Sequence, residues 1–163
     1  MNNAEKNVEG LRLAQLFPII EEKLKSGGEV SFKPHGTSML PLIRQGRDSV
    51  TLEKLKDEPQ KHDVIFYRRA DGQFVLHRII GEDNNGFILC GDNQTVREYG
   101  VRREQIIGIM TSVTRDGEKI LCTNPKYLKY CKKLWLHRKS LSVKRFICRV
   151  LSKVKRTFIK KVN

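Results

Sequence analysis

The chain has 163 residues, 39% of them hydrophobic, and a formal net charge of +14 at neutral pH. That length suits one domain with an appendage, and no stretch offers the 18 or so unbroken apolar residues of a membrane-spanning helix. The charge is uneven: all 18 acidic residues lie between Glu5 and Glu118, whereas residues 119–163 hold 15 of the 32 Lys and Arg. The body is therefore near neutral, at 17 basic against 18 acidic groups, and the tail is strongly basic. A boundary near residue 120 follows from charge alone.

The opening "MNNAEKNVEGLRLAQ" is too acidic and polar for a secretory signal peptide, which favours a cytoplasmic location. Cys90, Cys122, Cys131 and Cys148 form no Cys-x-x-Cys pair, and no histidine cluster has metal spacing. Neither structural zinc nor a disulfide framework is expected, and no cofactor is implied.

In chain order, "LRLAQLFPIIEEKLKSGG" reads as a helix, with Leu13, Leu16, Ile20 and Leu24 on one face. Pro18 either kinks it or opens a second helix, and Gly27-Gly28 ends it. The period then changes. "EVSFKPHG", "DSVTLEKL", "DVIFYRRA", "QFVLHRIIG", "GFILCGD" and "IIGIMTSVTR" read as short strands rich in β-branched and aromatic residues. "RADGQ" and "EDNNG" read as hairpin turns between them. Strands without intervening helices predict a mainly β body. From Pro125 the pattern is helical again. "YLKYCKKLWLHRK" suggests a short helix, and Val143, Phe146, Ile147, Val150, Leu151, Val154 and Phe158 form an apolar stripe among Lys and Arg. The expected organisation is a helical segment over 1–28, a β domain over 29–120 and a basic amphipathic tail over 121–163.

The stretch "FKPHGTSMLPLI" sets Ser38 just after Gly36 and between Pro34 and Pro41. A serine hydroxyl needs a base to become a nucleophile. His35 shares its segment, and His62 lies in the polar turn "PQKHDV". His77 lies mid-strand, and alternation puts it on one face with Val75 and Ile79, a rigid mount for a base. The turn "CGDNQTVREYG" offers Asp92 and Glu98 as carboxylates to fix the imidazole tautomer. Each feature alone is as well explained by a turn or a core position.

Taken in order, "GTSMLPLI", "DVIFYRR", "VLHRIIG", "CGDNQTVRE" and "IIGIMTSV" resemble the boxes of the signal peptidase I and SOS-repressor peptidase clan, over about residues 30–115. The resemblance implies a complex β fold with a short N-terminal helix and a serine endopeptidase mechanism. Most bacterial members carry a lysine base where this chain has His77. The chain is therefore similar to the endoplasmic-reticulum, archaeal and sporulating-bacterium branch, in which histidine takes that place. By the same resemblance Ser38 is the nucleophile, His77 the base and Asp92 the orienting acid, with Glu98 as second choice. The main-chain N–H groups of Ser38 and Gly36 are implied as an oxyanion hole, with Thr37 and Met39 on the substrate side. Some relatives have a serine where Gly36 stands, so a side-chain donor is missing here. Anchored signal peptidases carry membrane segments and self-cleaving repressors a DNA-binding domain, and neither is evident.

The implied partner is a peptide or protein substrate with a leader-type cleavage site. A non-catalytic peptide-binding member of the fold is the alternative. The basic helical tail has three readings: contact with an anionic membrane surface through residues 126–161, docking as an ordinary amphipathic helix, or binding of nucleic acid. Its broad apolar face and Trp135 favour the inner membrane surface over nucleic acid.

Overall fold

The computed structural model describes residues 15–134. Leu13, Cys148, Trp135 and the amphipathic stripe from Val143 to Phe158 lie outside the described residues.

Helix α1 covers residues 15–25 and runs through Pro18. It ends as the two glycines require. Gly27 adopts φ +81°, its N–H donates to Leu24 O at 3.1 Å, and Gly28 N–H donates to Lys23 O at 2.9 Å. This pair of bonds satisfies the last carbonyls of the helix. Of the predicted face, Leu24 is buried and Ile20 packs on the core, but Leu16 stays half exposed.

Eight strands form one antiparallel sheet: β1 (Val30–Phe32), β2 (Ser49–Glu53), β3 (Val64–Arg68), β4 (Phe74–Asp83), β5 (Gly86–Cys90), β6 (Glu98–Val101), β7 (Ile106–Arg115) and β8 (Glu118–Leu121). The order is β1-β2-β7-β3-β4-β5-β6. The mainly β expectation holds, and each of the six predicted strands is present. β6 and β8 are additional. β7 is the centre. β2 pairs along one edge of it, and the other edge is divided between β3 near Ile106–Ile109 and β8 near Ser112–Arg115. The β7–β8 turn places Asp116 and Gly117 at φ +49° and +87°, the positive pair that a two-residue hairpin loop demands.

Alternation divides the apolar side chains between two faces. Leu24, Val50, Leu52, Val64, Phe66, Leu76, Met110 and Val113 build the larger cluster. Ile65, Tyr67, Ile79, Phe87, Leu89 and Val101 build the smaller one behind it. Each such fully buried side chain contributes about 1.5–3 kcal/mol. The exposed Glu21–Lys25 pair at 3.0 Å contributes at most about 1 kcal/mol. The two clusters therefore hold the fold.

Residues 125–134 form helix α2. Its Tyr127 and Cys131 join the larger cluster beside Leu24, and Leu134 is buried. The charge boundary near residue 120 therefore does not coincide with a break in packing. α2 belongs to the body, with Lys126, Lys129, Lys132 and Lys133 on its exposed side.

Candidate active site

Strand register explains which side chains meet. His77 pairs with Ile65, and Tyr67 pairs with Val75, so Tyr67 and His77 share the face of the smaller cluster. Ile79 pairs with Leu89, and Leu89 with Glu98. Glu98 on β6 therefore reaches the same face as His77 from two strands away. The His77 Nδ1 to Glu98 Oε1 distance is 2.9 Å. The carboxylate is completed by Tyr67 Oη at 2.7 Å, by Arg69 Nε at 2.7 Å and by a second Arg69 contact from Nη2. Tyr67 Oη also lies 3.5 Å from His77 Nδ1.

The protonation states follow. Burial is the largest influence on His77 and lowers its pKa below the ordinary 6.5, with Glu98 pulling the other way without overcoming it. Burial pushes Glu98 towards neutrality, but hydrogen bonds from Arg69 and Tyr67 outweigh it and hold the carboxyl below its usual range. At neutral pH the pair is thus a neutral imidazole beside a carboxylate. Nδ1 carries the proton towards Glu98, which leaves Nε2 with a free lone pair.

The Ser38 turn is fastened to the end of β5. β5 ends at Cys90, which pairs with Arg78, the residue after His77, and Gly91 follows it. A Cβ on Gly91 would stand 2.6 Å from Ser38 O and 3.0 Å from Ser38 Cβ. A side chain at position 91 would displace the serine, so glycine is required by close approach. Asn93 N–H donates to Ser38 O at 2.7 Å, and Asn93 Nδ2 donates to Thr37 O at 3.1 Å. From the other side Arg115 Nη2 donates to Pro41 O at 2.8 Å and Leu42 O at 2.7 Å. Fully buried Asp48 binds Arg44 Nη2 at 2.7 Å and Arg115 Nη2 at 3.2 Å, which ties the loop to the end of β7. Ser38 is half-buried, and no hydrogen bond joins its hydroxyl to His77 among the described residues.

Gly36, at φ +90°, and Thr37 are exposed beside Ser38. Met39, read from the resemblance as a substrate-side residue, is 5% exposed and packs in the larger cluster.

Asp92, the first choice for the acid, pairs with Arg78, whereas it is Glu98 that stands at His77 Nδ1. The Asp92 side chain is fully buried against Arg78, with Nε to Oδ1 at 2.8 Å and Nη2 to Oδ2 at 2.7 Å. The reason is alternation. Arg78 follows His77 and faces the opposite side of the sheet, where Asp92 also lies. Burial opposes the charge of Arg78, yet its bonds to Asp92 hold its pKa well above the ordinary value. Glu98, the second choice, occupies the place beside His77. Sequence reasoning missed Tyr67, Arg69, Arg78 and Arg115. Reading "REYGV" as a strand paired with "GFILC" would have put Glu98 on the His77 face.

A separate cleft, lined by Glu58, Glu82, Asp83 and Glu104, includes none of these residues. Compared with protein-family models and with curated proteins, the chain matches none of them.

Proposed function

We infer that the protein is a serine endopeptidase of the signal-peptidase type, with Ser38 as nucleophile, His77 as general base and Glu98 as the orienting acid. The observation that carries this reading is the His77–Glu98 contact at 2.9 Å, with the Ser38 turn fastened at Gly91, just past the Cys90 that pairs with Arg78 next to His77. In this reading His77 Nε2 takes the Ser38 proton as Oγ attacks the scissile carbonyl. Glu98 stabilises the imidazolium that results. Main-chain N–H groups at Ser38 and Gly36 receive the oxyanion, in the absence of a side-chain donor at position 36. Catalytic hydrogen bonds are often long without substrate, so the missing Ser38–His77 bond is compatible with the role.

The sheet also supports a substrate class. β3 covers one edge of β4 from Phe74 to Arg78, but β5 pairs the opposite edge only from Arg78 onward. Among the described residues no strand pairs β4 beside Val75–His77 on that side. An extended peptide adding there as a strand would lead its main chain to His77. A leader-type peptide has that form.

No helix among the described residues is long and apolar enough to cross a membrane. As part of the same proposal, the exposed lysines of α2 and the basic segment after it hold the enzyme to an anionic membrane surface. Co-sedimentation with anionic but not neutral vesicles is the expected result. Equal recovery with both would remove this part of the reading.

The decisive experiment compares protein N-termini by mass spectrometry in cells carrying wild type or Ser38→Ala. A defined set of N-termini is expected to vanish in the variant, and those sites name the substrate. Identical profiles, alongside a measurable effect of deleting the gene, would sink the catalytic reading and leave the β4 edge as a peptide-binding site.

A further inference from the structure

Helix α2 touches the candidate site from behind. Tyr130 Oη donates to Asp92 Oδ2 at 2.9 Å. Arg78 Nη1 donates to Tyr127 Oη at 3.0 Å and Cys131 Sγ at 3.2 Å. The Arg78 guanidinium lies 5.5 Å from the Tyr127 ring centre and 5.8 Å from that of Tyr130. These contacts are not remote from the chemistry. Arg78 is the residue after His77 on β4. Asp92 sits between Gly91 and Asn93, the two residues on which Ser38 rests.

We propose that Tyr130 is a positioning residue, through which docking of α2 sets the separation of Ser38 and His77. The inference rests on the reading of Ser38 as nucleophile and His77 as base. Asp92 can keep its two bonds to Arg78 without Tyr130, so the pair alone survives loss of the hydroxyl. What Tyr130 adds is a third bond, from a helix, that fixes how the carboxylate is turned. The turn from Gly91 to Asn93 moves with that carboxylate, and the Ser38 main chain moves with the turn. A displacement of about 1 Å at a reacting group can lower a rate by about a hundredfold. A helix outside the site would thus govern the rate without touching substrate.

The test uses the full chain as wild type, Tyr130→Phe and Ser38→Ala, with a fluorophosphonate probe that labels activated serines. Two quantities are read: the rate constant of labelling and the fraction labelled at completion. Hydrogen exchange at the Asn93 amide is followed in parallel. Tyr130→Phe is expected to lower the rate constant about tenfold with the final fraction unchanged, and to speed Asn93 exchange by a similar factor. A merely structural role for Tyr130 would lower the labelled fraction and leave the rate constant of the rest at the wild-type value, and that result overturns the proposal. So does a variant that labels and exchanges like wild type. If wild type labels no faster than Ser38→Ala, the nucleophile reading fails instead. Asn93 exchange then decides alone: faster exchange in Tyr130→Phe supports the coupling, and unchanged exchange overturns it.

Discussion

Replacing Asp92 with alanine is expected to lower folding stability by about 3–5 kcal/mol, the usual effect of leaving a buried charge without its partner. Arg78 is fully buried, and its two bonds to Asp92 are its only contacts with a carboxylate among those the structure gives it. The remaining partners are a main-chain oxygen, a phenol and a thiol, none of which carries the compensating charge. Chemical denaturation of purified protein measures the difference. Two controls set the scale. The Glu58–Arg103 pair is exposed on both sides, so Glu58→Ala should change stability by no more than about 1 kcal/mol. Exchanging both members for apolar residues of similar size, as in Arg78→Met with Asp92→Leu, should recover much of the loss, because the uncompensated charge is then gone. An Asp92→Ala protein that unfolds at the wild-type denaturant concentration would show that Arg78 finds another counter-charge or reaches water.

The second large effect concerns Glu98. On the proposed mechanism, Glu98→Gln is expected to slow Ser38-dependent labelling or cleavage by a factor on the order of 10³–10⁴, the scale seen when the orienting acid of a triad becomes an amide. The amide can no longer accept the Nδ1 proton while holding charge against an imidazolium. Asp92→Asn should slow the reaction far less. The opposite ranking would return the role to Asp92. The pH profile adds a signed expectation. Wild-type rate should rise as His77 loses its proton, with a midpoint below 6.5, because burial depresses its pKa. Removing the Glu98 charge takes away an influence that raises that pKa, so the midpoint in Glu98→Gln should fall further. Stability follows the same direction. The folded pKa of His77 lies below the unfolded one, so the unfolded chain takes the proton first as the pH falls. The stability present above about 6.5 is then lost below it. Glu98, whose pKa is also depressed, adds a second loss as the pH falls below its ordinary 4.5.

The fold was largely readable because its strands carry their own signal. Short β-branched runs such as Val64–Arg68 alternate cleanly, and turns at Asp71-Gly72 and Gly27-Gly28 fall where positive φ is needed. β6 escaped notice because Glu98, Gly100 and the flanking Arg97 give it no apolar run. β8 escaped because Glu118 and Lys119 make it look like loop. The candidate site was readable as residue types and not as pairs. Ser38, His77 and an acid could be named from the sequence and the resemblance it carries. The choice between Asp92 and Glu98 depends on which face each strand presents, and that depends on register. Register is a long-range property: Leu89 opposite Glu98 has no trace in local composition. The Arg115 contacts to Pro41 and Leu42 span more than seventy residues and are invisible for the same reason.

The sheet order has a consequence for how the chain is made. β3, β4 and β5 follow one another through tight hairpins, whereas Ser49 on β2 must find Thr114 on β7. Local pairs form at little loss of chain entropy, and the β2–β7 pairing has to close a loop of more than fifty residues. A ribosome therefore releases Ser38 and His77 long before Arg115, the residue that fastens the Ser38 turn, and longer still before Tyr130. On the proposed reading, the nascent chain holds a base strand and an unfastened serine, and the two become a working pair only once the last strands and α2 have emerged. Synthesis itself would delay proteolysis until the protein is whole.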